Sequence, residues 1–199
     1  MKQVLTFFIG VIIVLAVAVF GVMLYRSFYV SSDGGEMVTP PPDLQIVQSS
    51  TTTIPVRFQI PALSIDAKVQ DVGITKTGAM GIPSNFTDVA WYKYGPVPGA
   101  IGNAVIDGHL DNAVSLPGVF KHLADIKTGD DIYVTNAGGQ TLHFQVTKTE
   151  TLDYNATSTS EIFGPSGTAN LVLITCEGTW NQSIKEYSNR LVVFSTLVK

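Results

Sequence analysis

The chain has 199 residues, with 12 basic and 16 acidic side chains and a net charge of −4. This length suits one domain with an appendage, and the weakly acidic balance excludes an electrostatic nucleic-acid binder. The single cysteine excludes an intramolecular disulfide and any zinc or iron–sulfur site built on several cysteines. Because the three histidines are dispersed without ligand-pair spacing, we expect neither a bound metal nor a cofactor.

The N-terminus carries an uncharged apolar segment, residues 4–24, in which Thr6 is the only polar side chain. As a helix it spans roughly 31 Å, close to the thickness of a bilayer core. A buried core helix would show a polar face, and this segment has none. A cleaved signal peptide is the other alternative, because Ala16-Val17-Ala18 mimics a cleavage site. We predict that residues 1–26 are an uncleaved transmembrane anchor, with Lys2 favouring a cytoplasmic N-terminus and an extracellular domain.

Residues 27–53 form the predicted flexible linker. Gly34 and Gly35 supply flexibility, and the run of prolines at 40–42 adds a short stiff stretch. Few side chains in this segment are able to bury themselves. The sequence therefore places the folded domain at residues 54–199.

The folded domain shows short β-prone runs separated by turn signals about every eight to twelve residues, which is typical of a barrel or sandwich. The predicted strands are residues 56–60, 103–107, 131–135, 142–146, 171–175 and 191–194. The turn at 136–139 predicts a hairpin. The run at 171–175 is apolar enough for a central strand buried on both faces, and the chief helical segment is predicted at 117–123.

Cys176 stands directly after the apolar run 171–175, so we predict that it lies at the end of a strand. By residue type, an inert buried thiol is the commoner case. A strand end at a barrel rim, however, exposes a side chain beside a loop, and an unpaired thiol in an exported domain is either buried or reactive. A nucleophilic cysteine needs a basic or cationic partner, because few thiols are ionised at neutral pH.

The partners available for such a cysteine are few. His109 is the strongest candidate base, since Gly108 before it would let the backbone turn and expose the imidazole. His122, on the predicted short helix, and His143, on a strand, are interpreted as solvent-facing. Arg190 directly precedes the last predicted strand, where an arginine is usually a solvated surface residue.

Taken in order along the chain, these motifs resemble those of the sortases, membrane-anchored cysteine transpeptidases of bacterial surfaces. Leu173-Ile174-Thr175-Cys176 is similar to the Thr-Leu-x-Thr-Cys signature, with Val172 in place of the first threonine. The strand ending in Gly108-His109 and the arginine Arg190 have counterparts in the family. Further segments are most similar to class E and F sortases: residues 57–61, 91–92, 95–96 and 120–130.

The resemblance implies an all-β fold, a closed sortase-like barrel of about eight strands with short helices. It also implies that Cys176 attacks the Thr–Gly carbonyl of an LPxTG-like sorting signal and forms a thioacyl-enzyme. His109 would exchange protons with the leaving and incoming amines, and Arg190 would hold the substrate backbone or the oxyanion. The implied partners are the sorting signal of surface proteins, an amine acceptor (a peptidoglycan precursor or a pilin lysine) and the membrane, with no nucleic acid.

Two other functions stay open on the sequence. The chain could be a tethered β-domain that binds a surface ligand, with Cys176 merely buried, or a cysteine hydrolase. A papain-type peptidase is disfavoured, because its cysteine precedes its histidine whereas Cys176 follows His109. Asp111 is a further residue able to orient His109, although a surface role is the more ordinary expectation for it.

Overall fold

The structure, a computed structural model, describes residues 2–29, 37–38, 53–112, 115–156 and 159–198. Helix α1 spans Lys2–Tyr29. Within it, the segment Phe8–Arg26 has a mean hydropathy of 2.8, and its side chains are exposed rather than packed on the rest of the chain. The N-terminus therefore forms one apolar helix long enough to cross a membrane, which is compatible with a single-pass anchor.

The remaining described chain is mostly sheet. Its strands are β1 (Met37–Val38), β2 (Pro55–Ile60), β3 (Ile65–Val72), β4 (Ile74–Thr75), β5 (Val89–Tyr92), β6 (Gly102–Gly108), β7 (Asp131–Asn136), β8 (Thr141–Asp153), β9 (Ala169–Asn181) and β10 (Glu186–Leu197). A short helix, α2 (Ser160–Phe163), precedes β9. Eight strands close into a barrel in the order β10-β8-β7-β2-β3-β5-β6-β9, which confirms the predicted fold class.

Most neighbouring strands of the barrel are antiparallel, but β3 pairs with β5 and β6 pairs with β9 in parallel. The parallel pair β6 and β9 positions the functional residues described below. Asp107 on β6 lies opposite Ile174 on β9. The two strands therefore run toward the same rim of the barrel.

Alternate side chains of the strands face two separate apolar clusters. Those that point inward form the barrel core, in which Ile106, Leu173 and Val193 are fully buried. A second cluster covers the outer face of β6, β9 and β10, and we call it the outer apolar patch; its buried members are Val105, Ile162, Val172 and Val192. Strand β9 is thus buried on both faces, as predicted from its apolar sequence.

The prediction of a helix at 117–123 is wrong. This segment forms turns, and a short 3-10 turn follows at Leu123–Asp125. The amides of Gly118 and Phe120 donate to the carbonyls of Leu110 and His109, so they are not available for a helical ladder. The segment is therefore held against the end of β6.

The last two strands are longer than predicted. Beyond the barrel, the polar ends of β9 and β10 continue to pair with each other, as far as Asn181 opposite Glu186. The sequence did not predict these strand ends, because their residues are polar and an exposed two-stranded ribbon needs no apolar alternation. Near the N-terminus, Met37–Val38 of the predicted linker pairs with Ile74–Thr75. Most of the remaining predicted linker, 30–36 and 39–52, lies outside the described residues.

Candidate active site

Cys176 lies inside β9, so the prediction that it follows the strand is wrong. It nevertheless lies at the rim of the barrel, because the described pairing with β6 ends at Ile174 while pairing with β10 continues. Leu173 belongs to the barrel core, whereas Ile174 packs against the outer apolar patch. By strand alternation, Cys176 shares the outer face with Ile174. Its thiol is half-buried rather than enclosed in the core.

Arg190 is the direct register partner of Cys176 on β10. It is the fifth residue of that strand, so the prediction that it precedes the strand is wrong. Its side chain is only 26% exposed, and Nη2 donates to Glu186 Oε2 at 2.6 Å. Nη1 donates to the backbone carbonyls of Asn189 and Tyr187. These contacts fix the guanidinium beside the thiol, which corrects the expectation of a solvated surface arginine.

His109 follows β6 directly, as the sequence predicted. The buried hydroxyl of Thr175 donates to the carbonyl of Gly108 at 2.7 Å, which ties the end of β6 to β9 one residue before Cys176. Because β6 and β9 are parallel with Asp107 opposite Ile174, the chain brings His109 to the level of Cys176. The structure therefore gathers the three predicted catalytic residues at one rim.

The imidazole of His109 is held on one side by a carbonyl and on the other by an aromatic ring. Nε2 lies 2.9 Å from the carbonyl oxygen of Pro83, and the ring of Phe86 lies 4.8 Å away, centroid to centroid. A carbonyl only accepts, so Nε2 carries a proton in this arrangement. Nδ1 is then the nitrogen at which the imidazole gains or loses its second proton.

Gly108 is needed for close packing rather than for a turn. A Cβ at this position would lie 2.4 Å from the ring of Phe120, which is fully buried. A Cβ at Gly118 would lie 2.3 Å from the carbonyl oxygen of His109. The two glycines let the 117–120 segment press against the backbone that carries the imidazole, which differs from the sharp turn expected before His109.

Asp111 connects the segment after His109 to the β9–β10 ribbon. Its side chain is 10% exposed, so the expectation of a surface role is wrong. It accepts hydrogen bonds from the Tyr187 hydroxyl at 2.7 Å and from Lys121 Nζ at 3.2 Å. The ring of Trp180 packs edge-on against Tyr187 with centroids 5.2 Å apart. Asp111 thus braces the rim on which His109 and Arg190 lie.

The charges around the thiol are mostly negative. Burial raises the pKa of Cys176 to about 11, and the positive charge of Arg190 opposes that shift. The carboxylates of Asp107, Glu186 and Asp111 raise the pKa of Cys176 further. The free thiol is therefore neutral at pH 7 in this arrangement, and attack requires its proton to be removed.

Asp107 is a site residue that the sequence analysis missed. Burial raises the pKa of its carboxyl to about 7, with the charge of Arg190 acting in the opposite direction. The signal was present, because an acid ends the apolar run 104–106 two residues before His109, and alternation gives Asp107 and His109 the same face. Asp111 and Tyr187 had no comparable signal, since their contact joins residues 76 positions apart.

The other two histidines have partners of their own. His122 is exposed and lies 3.6 Å from Asp125. His143 Nε2 lies 2.7 Å from Asp131 Oδ1, and its ring stacks on Tyr133, so it is less solvent-facing than expected. Among the described residues, no group of three His, Cys, Asp or Glu side chains is arranged to hold a metal ion.

The comparisons with known proteins agree on one family. Residues 58–198 match the family model of the sortase domain. Sortase A from Corynebacterium diphtheriae is 21% identical with a TM-score of 0.56, and the match covers 76% of this chain and 63% of that one. Sortase C-1 from Actinomyces oris is 23% identical with a TM-score of 0.55, covering 72% of each chain. Sortase A from Listeria monocytogenes is 22% identical with a TM-score of 0.55, covering 74% of this chain and 88% of that one.

No curated protein sequence shows a significant match to the chain. The matched region spans less than two thirds of the Corynebacterium enzyme. The solved structures establish the fold, and the family model covers well over half of this chain. The chain belongs to the sortase family, whose members are cysteine transpeptidases.

Proposed function

We propose that this chain is a cysteine transpeptidase in which Cys176, His109 and Arg190 are the catalytic residues. The observation that carries the proposal is their placement at one rim of the barrel. Arg190 is the register partner of Cys176, and the Thr175–Gly108 bond brings the end of β6 level with the thiol. A nucleophile, a proton carrier and a fixed cation are the groups that acyl transfer through a thioester requires.

Acylation begins with transfer of the thiol proton from Cys176 to His109, because the neutral thiol is a poor nucleophile. The thiolate adds to the carbonyl carbon of the Thr–Gly bond in an LPxTG-like sorting signal. When the tetrahedral intermediate collapses, the C–N bond breaks and His109 gives a proton to the leaving glycine amine. The acyl group then remains on the sulfur as a thioester.

Deacylation reverses the proton transfer. The incoming amine loses a proton to His109 as it attacks the thioester, and Cys176 leaves as a thiolate. Arg190 acts in both halves, since its planar guanidinium is always charged and donates to the developing oxyanion. The ion pair with Glu186 holds that guanidinium in place between turnovers.

The direct test is the intact mass of the full chain in detergent after mixing with an LPxTG-type peptide. We expect the mass to rise by the acyl fragment and to return when an amine acceptor is added. Cys176→Ala should abolish both changes, and His143→Ala is a matched control because His143 bonds Asp131 instead. Turnover in Cys176→Ala would refute the proposal.

The same assay separates transpeptidation from the cysteine hydrolase alternative. A hydrolase would release the free acid at the same rate with or without an amine. A transpeptidase should form the amide as the main product once the acceptor is present. A folded chain that neither acylates nor reacts with iodoacetamide would instead favour the non-catalytic binding domain.

We infer that the physiological acceptor is a peptidoglycan precursor amine or a pilin lysine, and that the chain is of the class E or F type. The subclass inference depends on sequence segments such as Trp91-Tyr92 and Gly95-Pro96. Offering a peptidoglycan-type amine and a pilin-type lysine peptide in competition tests the acceptor. Amide formation with only one of them identifies anchoring or pilus polymerisation as the role.

We further infer that α1 anchors the protein as a single-pass membrane helix with the barrel outside the cell. The length and exposure of the apolar segment Phe8–Arg26 support this arrangement. The full chain should stay in the membrane fraction after carbonate extraction, and protease added to intact cells should remove the barrel. A mature N-terminus just after Ala18 would identify a signal peptide instead.

A further inference from the structure

Asp107 is a half-buried acidic residue on the face of the sheet that carries Cys176. Strand alternation sends Ile106 into the barrel core, while Val105 joins the outer apolar patch. Asp107 therefore points outward beside Val105, on the face that carries Cys176. Its neighbours across the sheet, Ala90 and Ile174, have no charge.

The carboxyl of Asp107 has no partner in the fold. Among the described residues, it accepts no hydrogen bond and has no cationic nitrogen within 4.0 Å. Arg190 influences it electrostatically, but the hydrogen bonds of the guanidinium go to Glu186 and to two backbone carbonyls rather than to Asp107. A half-buried carboxyl without a partner lowers the stability of the folded state. This cost indicates that the carboxyl serves to bind a group that is not part of the chain.

The position of Asp107 relative to the thiol indicates which part of a bound substrate contacts its carboxyl. It lies two residues before His109 on β6, and its partner Ile174 lies two residues before Cys176 on β9. At a strand rise of about 3.3 Å per residue, this is about 7 Å along the strands from the level of the thiol. Further along the same face, Val105 and Val172 lie opposite each other and are fully buried, so Asp107 is the one residue of β6 that stays partly exposed beside the thiol.

An acyl chain attached to Cys176 and extended along these strands meets Asp107 within two residues of the acylated carbonyl. Resting on the proposed transpeptidation, we propose that Asp107 is a specificity-determining residue, which selects a basic side chain at the variable substrate position directly N-terminal to the acylated threonine. The cationic group of the substrate then forms the ion pair that the carboxyl of Asp107 lacks in the free protein. A carboxylate at this point also disfavours an acidic side chain, and so discriminates in both directions.

The test uses the full chain in detergent and a series of LPxTG-type peptides. The position directly before the threonine carries Lys, Gln or Glu, and kcat/KM is measured for thioester formation. We expect the wild type to prefer Lys over Gln by about tenfold and to disfavour Glu by a similar factor. In Asp107→Asn the three peptides should have similar kcat/KM values. In Asp107→Lys the order should reverse, with the Glu peptide preferred over the Lys peptide.

The matched control is Asp71→Asn, which removes the same charge from an exposed carboxylate paired with Lys93. It should keep the wild-type order of peptides. Equal rates for the three peptides in the wild type would overturn the proposal. A preference for Lys that survives in Asp107→Asn would overturn it equally, because the selection would then come from another group.

A second measurement does not depend on turnover. A methanethiosulfonate reagent transfers its thioalkyl group to the Cys176 thiolate and releases sulfinate, so cationic and anionic reagents report the charge along the approach to the sulfur. At pH 8 we expect the cationic reagent to react faster, and the ratio of the two rates to fall by about threefold or more in Asp107→Asn. Taking the ratio cancels any change in the pKa of the thiol itself.

The two measurements keep the proposals separate. If no peptide acylates the wild type, the proposed transpeptidation is refuted, and the reagent ratio alone then decides whether Asp107 draws cations to the thiol. An unchanged ratio in Asp107→Asn would overturn the inference about Asp107 whatever the peptides do. A fallen ratio together with a levelled peptide series supports it.

Discussion

Asp107→Asn should change the pH dependence of folding stability in a direction that the structure fixes. Burial raises the pKa of this carboxyl from 3.8 to about 7 in the folded chain. A raised folded-state pKa means that its contribution to stability is fully present below about pH 4 and is lost as the pH rises through about 7. Asparagine keeps the shape of the protonated side chain but never ionises, so the variant avoids that loss.

The size of the effect follows from the shift. A difference of about three pKa units corresponds to at most about 4 kcal/mol, since each unit contributes about 1.4 kcal/mol. Asp107 keeps some contact with solvent, which reduces the cost of its charge, so we expect about 1–4 kcal/mol. The free energy of unfolding of Asp107→Asn, relative to that of the wild type, should therefore rise by about 1–4 kcal/mol between pH 4 and pH 8.

The assay is urea unfolding of both proteins at pH 4, 6 and 8, followed by the fluorescence of buried Trp91. Comparing the two proteins at each pH cancels the titration of all other groups. Asp71→Asn, at an exposed position, should run parallel to the wild type throughout. Parallel curves for Asp107→Asn and the wild type would show that the carboxyl is not destabilised by burial, and the reasoning would be refuted.

Three further substitutions test how the rim is held together. Arg190→Lys should lower kcat/KM by about 10²–10³-fold in the peptide assay, because a lysine loses the planar two-donor fork, and wild-type turnover would contradict this role. Thr175→Val should lower the free energy of unfolding by about 1–3 kcal/mol in urea, since the carbonyl of Gly108 loses its buried donor. Tyr187→Phe should cost about 1–2 kcal/mol by the same measurement and also lower kcat, because Asp111 loses the bond that braces the rim; an unaltered kcat would limit that bond to stability.

Apolar runs predicted six of the eight barrel strands, because such runs record which strands have a buried face, whereas the closed barrel followed from the resemblance. The runs missed β3 and β5, and they also failed where the end of a strand has no apolar face. The polar ends of β9 and β10 pair with each other beyond the apolar runs, and Arg190 also pairs with Leu152 of β8, so Cys176 and Arg190 were assigned to strand ends although both lie within strands. The helix expected at 117–123 failed for a related reason, because its amides bond to the end of β6, which no local pattern reveals.

Within the site, the sequence identified residues by chemical type and order but not by their surroundings. Thr175 could be seen as part of a motif, whereas its bond to the Gly108 carbonyl depends on parallel pairing between distant strands. Asp111 was considered only as a support for His109, and the structure gives it Tyr187 and Lys121. Burial and long-range contact decide such roles, and neither is encoded in local spacing.

The balance of charge at the rim connects substrate choice to the reactivity of the thiol. In the free protein, three carboxylates and burial hold the pKa of Cys176 at about 11 against a single arginine. A basic substrate side chain beside Asp107 would neutralise one of those carboxylates and add a cation near the sulfur. Both changes lower the pKa of Cys176, so the substrate that Asp107 selects would also be the one that favours the thiolate. A neutral thiol in the free enzyme is, in turn, less exposed to oxidation and to unproductive acylation, since the thiolate is the reactive form.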